Sequence, residues 1–375
     1  MIIIMITYDD HKLKKYKKLL VDKTELGKLA TFYENKKLPV YNWFYYKEAF
    51  SRGLVVKILE KYKIRNGVVL DPFCGAGTTL LTCKEMGVNS VGFDVLPVSV
   101  FSAVVKTRDY DIDVLKEHIK NLLKMKFSDV KNYAIPLILK KAFDSTTLKR
   151  IFFYHEKVNE IGDFYVRGFL KLALINAAMS VSFAYRDGAV IKFRKRKTMP
   201  FKVALKRNLK RMIREYKYFT KNQIFKTKTY VGFGDARSLP LKNNSVNAII
   251  TSPPYLGQPD YQRAYEIENT FIEYYSKKSA PNFIDSKSSE GYFKDIHAVL
   301  KELHRVCKPD SPIAFVVANA YIDKNVECDL IISKIAEDLG FEVRKIFVLN
   351  KRYALKNRTK KVGVLRESLI EMVKI

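Results

Sequence analysis

Val68-Val69-Leu70-Asp71-Pro72-Phe73-Cys74-Gly75-Ala76-Gly77-Thr78-Thr79 joins a β-branched run to a glycine turn and then to a helical run, Leu80 to Met86. A residue without Cβ lets the backbone bend sharply and approach a ligand closely. Such a turn at the carboxyl end of a strand opens a pocket where α/β sheets bind their ligands. It is not a Walker loop, because GxxxxGK[ST] is absent, and the third glycine of a dinucleotide fingerprint is missing. Asp94 closes the next β-branched run, Ser90-Val91-Gly92-Phe93, where its carboxylate can accept hydrogen bonds from ribose hydroxyls.

Further β-branched runs at 246–251, 313–318 and 343–349 alternate with helical stretches, the pattern of a parallel sheet with crossover helices. Residues 106–228 lack that alternation and read as mostly helical, from 113–125 through the apolar 164–185 to a basic helix. The expected organisation is a first part of an α/β catalytic domain over 1–105, a helical basic insertion over 106–228, and a second part over 229–375.

The chain has 375 residues, 68 Lys+Arg against 39 Asp+Glu, and a formal net charge of +29. Such a field concentrates polyanions, so nucleic acid is the leading partner class and an anionic membrane surface the second. Nearly half of the excess, +14, lies in residues 186–228, with 16 Lys+Arg against Asp187 and Glu215. Phe201, Leu205, Leu209, Met212, Tyr216 and Phe219 recur there at helical spacing, with Thr198 as the expected N-cap. Arg194, Lys195, Arg196, Lys197, Lys206, Arg207, Lys210 and Arg211 are the expected phosphate contacts. Tyr185-Arg186-Asp187-Gly188 reads as a helix terminator.

Four scattered cysteines, Cys74, Cys83, Cys307 and Cys328, have no CxxC pair and no metal-spaced histidine, so neither a disulfide framework nor a metal site is expected. The apolar start MIIIMI is too short for a signal peptide, and the apolar stretch 172–185 is shorter than the roughly 20 residues of a bilayer span. A cytoplasmic protein without a membrane segment is the expectation.

Asn247-Ala248-Ile249-Ile250-Thr251-Ser252-Pro253-Pro254-Tyr255 is a strand running into two prolines that cannot continue a ladder. The result is a rigid loop at the same sheet edge as the glycine turn. DPFCGAGTT with the later GFD, together with TSPPY, resembles the DNA amino-methyltransferases, the methylases of exocyclic nitrogens on cytosine or adenine. The resemblance spans 40–105 and 229–372 and takes in the aromatic Tyr41 to Phe50 segment, Asp260 to Glu266, Leu303 to Pro309 and Val364 to Ile370.

The likeness implies a Rossmann-like class I methyltransferase sheet with helices on both faces, and S-adenosylmethionine as methyl donor. It places Phe73, Gly75 and Gly77 along the methionine and sulfonium, Asp94 at the ribose and Asp235 at the adenine, with Thr78 also among the cofactor-binding residues. Asp71 either contacts the cofactor or orients the loop. The segment around Trp43 either helps close the pocket or is an aromatic core helix. An exocyclic amine is a poor nucleophile because its lone pair is delocalised into the ring. On the likeness Ser252 and the Pro253 carbonyl would accept its two N–H groups, Pro254 would stiffen the pair, and Tyr255 would stack on a base flipped out of the duplex. TSPPY resembles the cytosine-N4 version of the motif, the adenine-N6 version more often having Asp at the Ser252 position. The implied substrate is double-stranded DNA, with RNA as the alternative, acted on by a monomer, with a cognate restriction endonuclease as a possible partner. The insertion departs from the family pattern, because it lies between Asp94 and Asp235 rather than beside TSPPY or at the carboxyl end.

Overall fold

The structure, a computed structural model, describes residues 10–128, 135–187, 190–221, 226–257, 261–273, 283–322, 324–356 and 360–375. Eight strands form one sheet: β1 Leu20–Asp22, β2 Val68–Asp71, β3 Asn89–Asp94, β4 Thr229–Phe233, β5 Ala248–Thr251, β6 Pro312–Ala318, β7 Phe341–Lys356 and β8 Lys360–Lys374. Their order across the sheet is β1-β7-β8-β6-β5-β2-β3-β4. All pairings are parallel except those of β8, which runs against both β7 and β6.

The chain builds outward from β2 to β3 and β4, then returns to lay β5 on the other side of β2. The strand order reverses between β2 and β5, and a crevice at such a switch point is where an open α/β sheet binds its ligand. The glycine turn leaves β2 and the Pro-Pro loop leaves β5 at this edge. Both sequence motifs therefore reach one place because of topology.

Strand periodicity divides the apolar residues between two faces. Leu70, Ile249, Ile313 and Phe315 pack into one core with the helices Ser289–Val306 and Cys328–Asp338, whereas Val69, Ile250, Ala314 and Val316 pack into another under Arg52–Lys61. The central strands are near-continuous apolar runs because both faces are covered.

A third core belongs to the long segment between β3 and β4. Its helices are Pro97–Thr107, Ile112–Lys124, Leu137–Ala142, Ser145–Asn159, Phe164–Val181 and Phe201–Thr220. Phe169, Leu172, Leu205, Leu209 and Met212 pack there with Trp43, Phe44, Tyr265 and Phe271 from elsewhere in the chain. Phe164–Val181 has the length and apolar composition of a membrane span, but most of it is buried in this core.

Three local readings change. The basic helix is capped by Pro200 rather than Thr198, and the proline's fixed φ leads the chain straight into the first turn. The apolar helix ends at Val181, four residues short of Tyr185. Ala184–Asp187 then pairs antiparallel with Val190–Phe193, so Tyr185 to Asp187 form one arm of a hairpin instead of a helix terminator; Gly188 lies outside the described residues.

Candidate active site

The glycine turn is held by backbone and by Asp94. Gly75 and Gly77 have φ of 49° and 78°, in the left-handed region that side chains with a Cβ disfavour. Asp94 at the end of β3 accepts from the Gly75 amide at 2.8 Å and, through its other oxygen, from the Leu96 amide at 2.8 Å. The buried Lys106 ammonium donates to the Ala76 carbonyl at 3.1 Å and to the Phe44 carbonyl at 3.4 Å, tying the turn to the aromatic segment.

Asp71 fastens the two motifs together. It accepts from the Thr251 hydroxyl at 2.7 Å, from Thr79 at 2.6 Å and from the Phe73 amide at 3.2 Å. Of the two roles open from the sequence, loop orientation is the one that these contacts perform, although Asp71 also lines the cavity. Burial pushes Asp71 and Asp94 up to about 6 from an ordinary value of 3.8.

That shift has a measurable consequence. Between about pH 4 and 6 the native chain keeps a proton on Asp71 that the unfolded chain releases, so the contribution of this group to stability falls as pH rises. Asp71→Asn leaves an acceptor for Thr251 and removes the titration. Its stability relative to wild type is expected to rise across that window by at most about 3 kcal/mol, from 1.36 kcal/mol per unit. Urea denaturation of both proteins at pH 4, 5, 6 and 7 checks it, and a flat difference would refute the assignment.

A cavity of about 460 Å³ opens between the two motifs. Asp71, Phe73, Gly75, Thr78, Asp94, Asp235, Ser252, Pro253, Pro254 and Tyr255 all line it. Gly77 does not; it lies behind the turn, where a Cβ would come within 2.9 Å of the Ala103 Cβ. The Asp235 carboxylate is held by Arg237 at 2.6 Å, and Arg237 also pairs with Asp295 at 2.8 Å. Burial, with Asp94 and Asp71 nearby, pushes the Cys74 thiol well up, so it is no thiolate nucleophile. Among the described residues no group of His, Cys, Asp or Glu could hold a metal ion.

The Ser252 hydroxyl donates to the Tyr255 hydroxyl at 3.2 Å, and Tyr255 donates to Glu367 on β8 at 3.0 Å. Ser252 keeps its lone pairs for a donor arriving from the cavity. Tyr46 also lines the cavity, and a Gly75 Cβ would stand 3.0 Å from its ring. Tyr46 stacks on Tyr265 with centroids 5.0 Å apart and planes at 14°. The hairpin residue Arg186 lies 4.6 Å from the centre of the Tyr265 ring and pairs with Glu268. The Tyr41 to Phe50 segment is thus both wall and core: Tyr41–Trp43 is a 3-10 turn rather than a long helix, Trp43 is fully buried, and Tyr46, Lys47 and Glu48 face the cavity.

Sequence reasoning missed Glu367, Lys106 and Tyr265. Glu367 stands inside the Val364 to Ile370 run, which read only as a terminal strand, and nothing local marks it.

The eight expected phosphate-contacting cations split into two groups. Arg194, Lys195, Lys197, Lys206, Arg207 and Lys210 are exposed. Arg196 is exposed too, but it donates to the Ser180 and Ser182 carbonyls at 3.0 Å, closing the end of the apolar helix. Arg211 donates to Asn42 at 2.9 Å and stands 3.6 Å from Glu215. These two are committed to the fold.

Residues 3–100 and 246–374 match the profile of a family described as DNA methylase, covering the N6 and N4 enzymes. The type II methyltransferase M.BsoBI of Geobacillus stearothermophilus is 26% identical over 89% of this chain and 85% of its own. The type II methyltransferase M.AvaI of a Nostoc strain is 27% identical over 86% and 83%. A SAM-dependent methyltransferase from Aquifex aeolicus, among the solved structures, overlaps 98% of this chain and 100% of its own at 14% identity, with a TM-score of 0.32 too low to add to the strand order.

Proposed function

Because the chain belongs to the DNA methylase family of N6 and N4 amino-methyltransferases, with S-adenosylmethionine as methyl donor and DNA as substrate, we propose that its target is the N4 amine of a cytosine flipped out of duplex DNA. The supporting observation is Ser252 beside Pro253 and Tyr255 on a cavity that also holds the glycine turn. An amine presented there meets two acceptors, the Ser252 hydroxyl and the Pro253 carbonyl, on a backbone stiffened by Pro254. Both acceptors draw electron density toward nitrogen and aim its lone pair at the cavity. Tyr255 offers a face for the base.

The donor's fit rests on the opposite half of the same cavity. Gly75 and Thr78 would hold the methionine end with Phe73, Asp94 the ribose and Asp235 the adenine, while Gly77 shapes the turn from behind. When bound, the sulfonium supplies an activated methyl group to the amine.

Incubating the protein with labelled S-adenosylmethionine and duplex DNA or total RNA, followed by mass spectrometry of the nucleosides, tests this reading. N4-methylcytosine from DNA is the expected product. N6-methyladenine would overturn the target base, and label confined to RNA would overturn the substrate. The enzyme would protect DNA against a cognate restriction endonuclease, and it would act as a monomer.

The exposed cations around residues 194–210 would hold the phosphate backbone. The triple variant Lys195→Gln, Lys206→Gln and Lys210→Gln is expected to flatten the dependence of log K on log salt by about 0.9 per lost phosphate contact. Arg211→Gln should leave that slope nearly unchanged, since its guanidinium is held by Asn42 and Glu215. Fluorescence anisotropy at several salt concentrations measures both.

A further inference from the structure

Glu367 lies beyond every residue that the sequence motifs single out, yet it ends a hydrogen-bonded chain that starts at the proposed amine acceptor. The Ser252 hydroxyl reaches Tyr255 at 3.2 Å, and the Tyr255 hydroxyl reaches the Glu367 carboxylate at 3.0 Å. Register on the sheet explains the placement. β8 sets Glu367 opposite Asn350 of β7 and Ala318 of β6, while its neighbours Arg366 and Ser368 turn to the other face and bind Asp329.

Beyond Tyr255 a second cavity of about 70 Å³ is lined by Tyr255, Ala318, Asn350, Arg352, Leu365 and Glu367. A space of that size is large enough for water. Arg352 is exposed, so this side of Glu367 leads toward solvent. Glu367, Asn350 and Arg352 border the main cavity as well as this smaller one, so a carboxylate bonded to Tyr255 joins the amine site to a polar, solvent-leading space, the geometry of a proton exit.

We propose that Glu367 is the terminal acceptor for the proton that the target amine must lose, received through Ser252 and Tyr255. This rests on the amino-methyltransferase reading above. As the N–C bond forms and the S–C bond breaks, the nitrogen gains a positive charge and gives one proton to the Ser252 oxygen. Ser252 passes its own proton to Tyr255, Tyr255 passes its own to Glu367, and the neutral carboxylic acid then releases it to water past Arg352. The sulfur leaves as a neutral thioether, so charge and atoms balance.

The groups facing Glu367 are Tyr255 from the loop after β5, Asn350 and Arg352 from β7, and the apolar Ala318 and Leu365. Burial raises the carboxyl above its ordinary value, and the Tyr255 hydrogen bond and the Arg352 charge only partly oppose this. A carboxylate so poised takes a proton more readily than an exposed one.

The test is single-turnover methyl transfer to duplex DNA as a function of pH, for wild type, Glu367→Gln and Tyr255→Phe. Wild type is expected to show a rate that rises with pH and levels off as Glu367 ionises. Glu367→Gln preserves an acceptor for Tyr255 but cannot take a proton; Tyr255→Phe keeps the ring and cuts the chain. Both are expected to lose the rising limb and about 10²-fold in rate, with S-adenosylmethionine affinity and melting temperature close to wild type. Variants that are slow but retain the wild-type limb would reduce Glu367 to a support for Tyr255 and overturn the relay. Glu367→Gln at the wild-type rate would overturn it as well, while leaving the enzyme's function intact. A wild-type protein that labels no DNA would overturn both readings.

Discussion

Ser252→Ala is expected to methylate duplex DNA about 10²- to 10³-fold more slowly than wild type, the range lost when one preorganised polar contact to a reacting group is removed. The substitution deletes one of the two proposed acceptors for the amine and the first member of the chain to Tyr255 and Glu367. It leaves the bonds that hold the glycine turn in place, because Asp71 reaches the turn through the Phe73 amide and Thr79, and β5 through Thr251 rather than Ser252. Affinity for S-adenosylmethionine should therefore change far less than the rate, since the proposed cofactor contacts at Gly75, Asp94 and Asp235 are left in place. Isothermal titration beside a single-turnover assay separates the two quantities. A variant that binds the cofactor normally and methylates at the wild-type rate would remove Ser252 from the chemistry.

The second large effect falls on Gly77. Gly77→Val asks a β-branched residue to adopt φ of 78° and drives its Cβ to within 2.9 Å of the Ala103 Cβ and 3.0 Å of its backbone Cα. The first costs about 1–2 kcal/mol, and overpacking adds roughly 1–3 kcal/mol. Ala103 sits on the buried helix Pro97–Thr107 and cannot step aside alone. The expected result is a melting temperature several degrees lower and cofactor affinity reduced at least about tenfold, the equivalent of 1.4 kcal/mol. Wild-type binding by Gly77→Val would mean that the turn relaxes freely.

The two motifs were legible because each is contiguous: a strand followed by a ligand-shaped turn carries its whole meaning within about ten residues, the scale on which turn chemistry acts. The strand beginning at Val68 and the Pro-Pro loop after Thr251 stand where the sequence puts them. What surrounds them was less legible because it depends on register between distant segments. Glu367 meets Tyr255 only because antiparallel β8 turns alternate residues to opposite faces beside β6. Tyr46 and Tyr265, more than two hundred positions apart, become one wall through a stacking contact that neither segment's pattern encodes. Thr198 does not cap the helix for a different reason: Pro200 stands at the N-cap, and its fixed φ sets the helix entrance. The cations show the same limit, since composition counts Arg196 and Arg211 with the others while the carbonyls and amide beside them claim both.

The basic helix is anchored through its inner face. Glu215 accepts from the Trp43 indole at 3.0 Å and from Asn42 at 3.2 Å, and Trp43 packs edge-on against Phe169. The segment that ends in Tyr46 therefore shares one core with the proposed DNA grip. An insertion wired in this way is a poor candidate for exchange between lineages as a ready-made cassette, since a donor segment would have to bring its own partner for Trp43. Changes to the proposed grip are tolerated best at outward positions such as Lys206 and Lys210, whereas a change on the inward face of the helix disturbs the core that also carries Trp43.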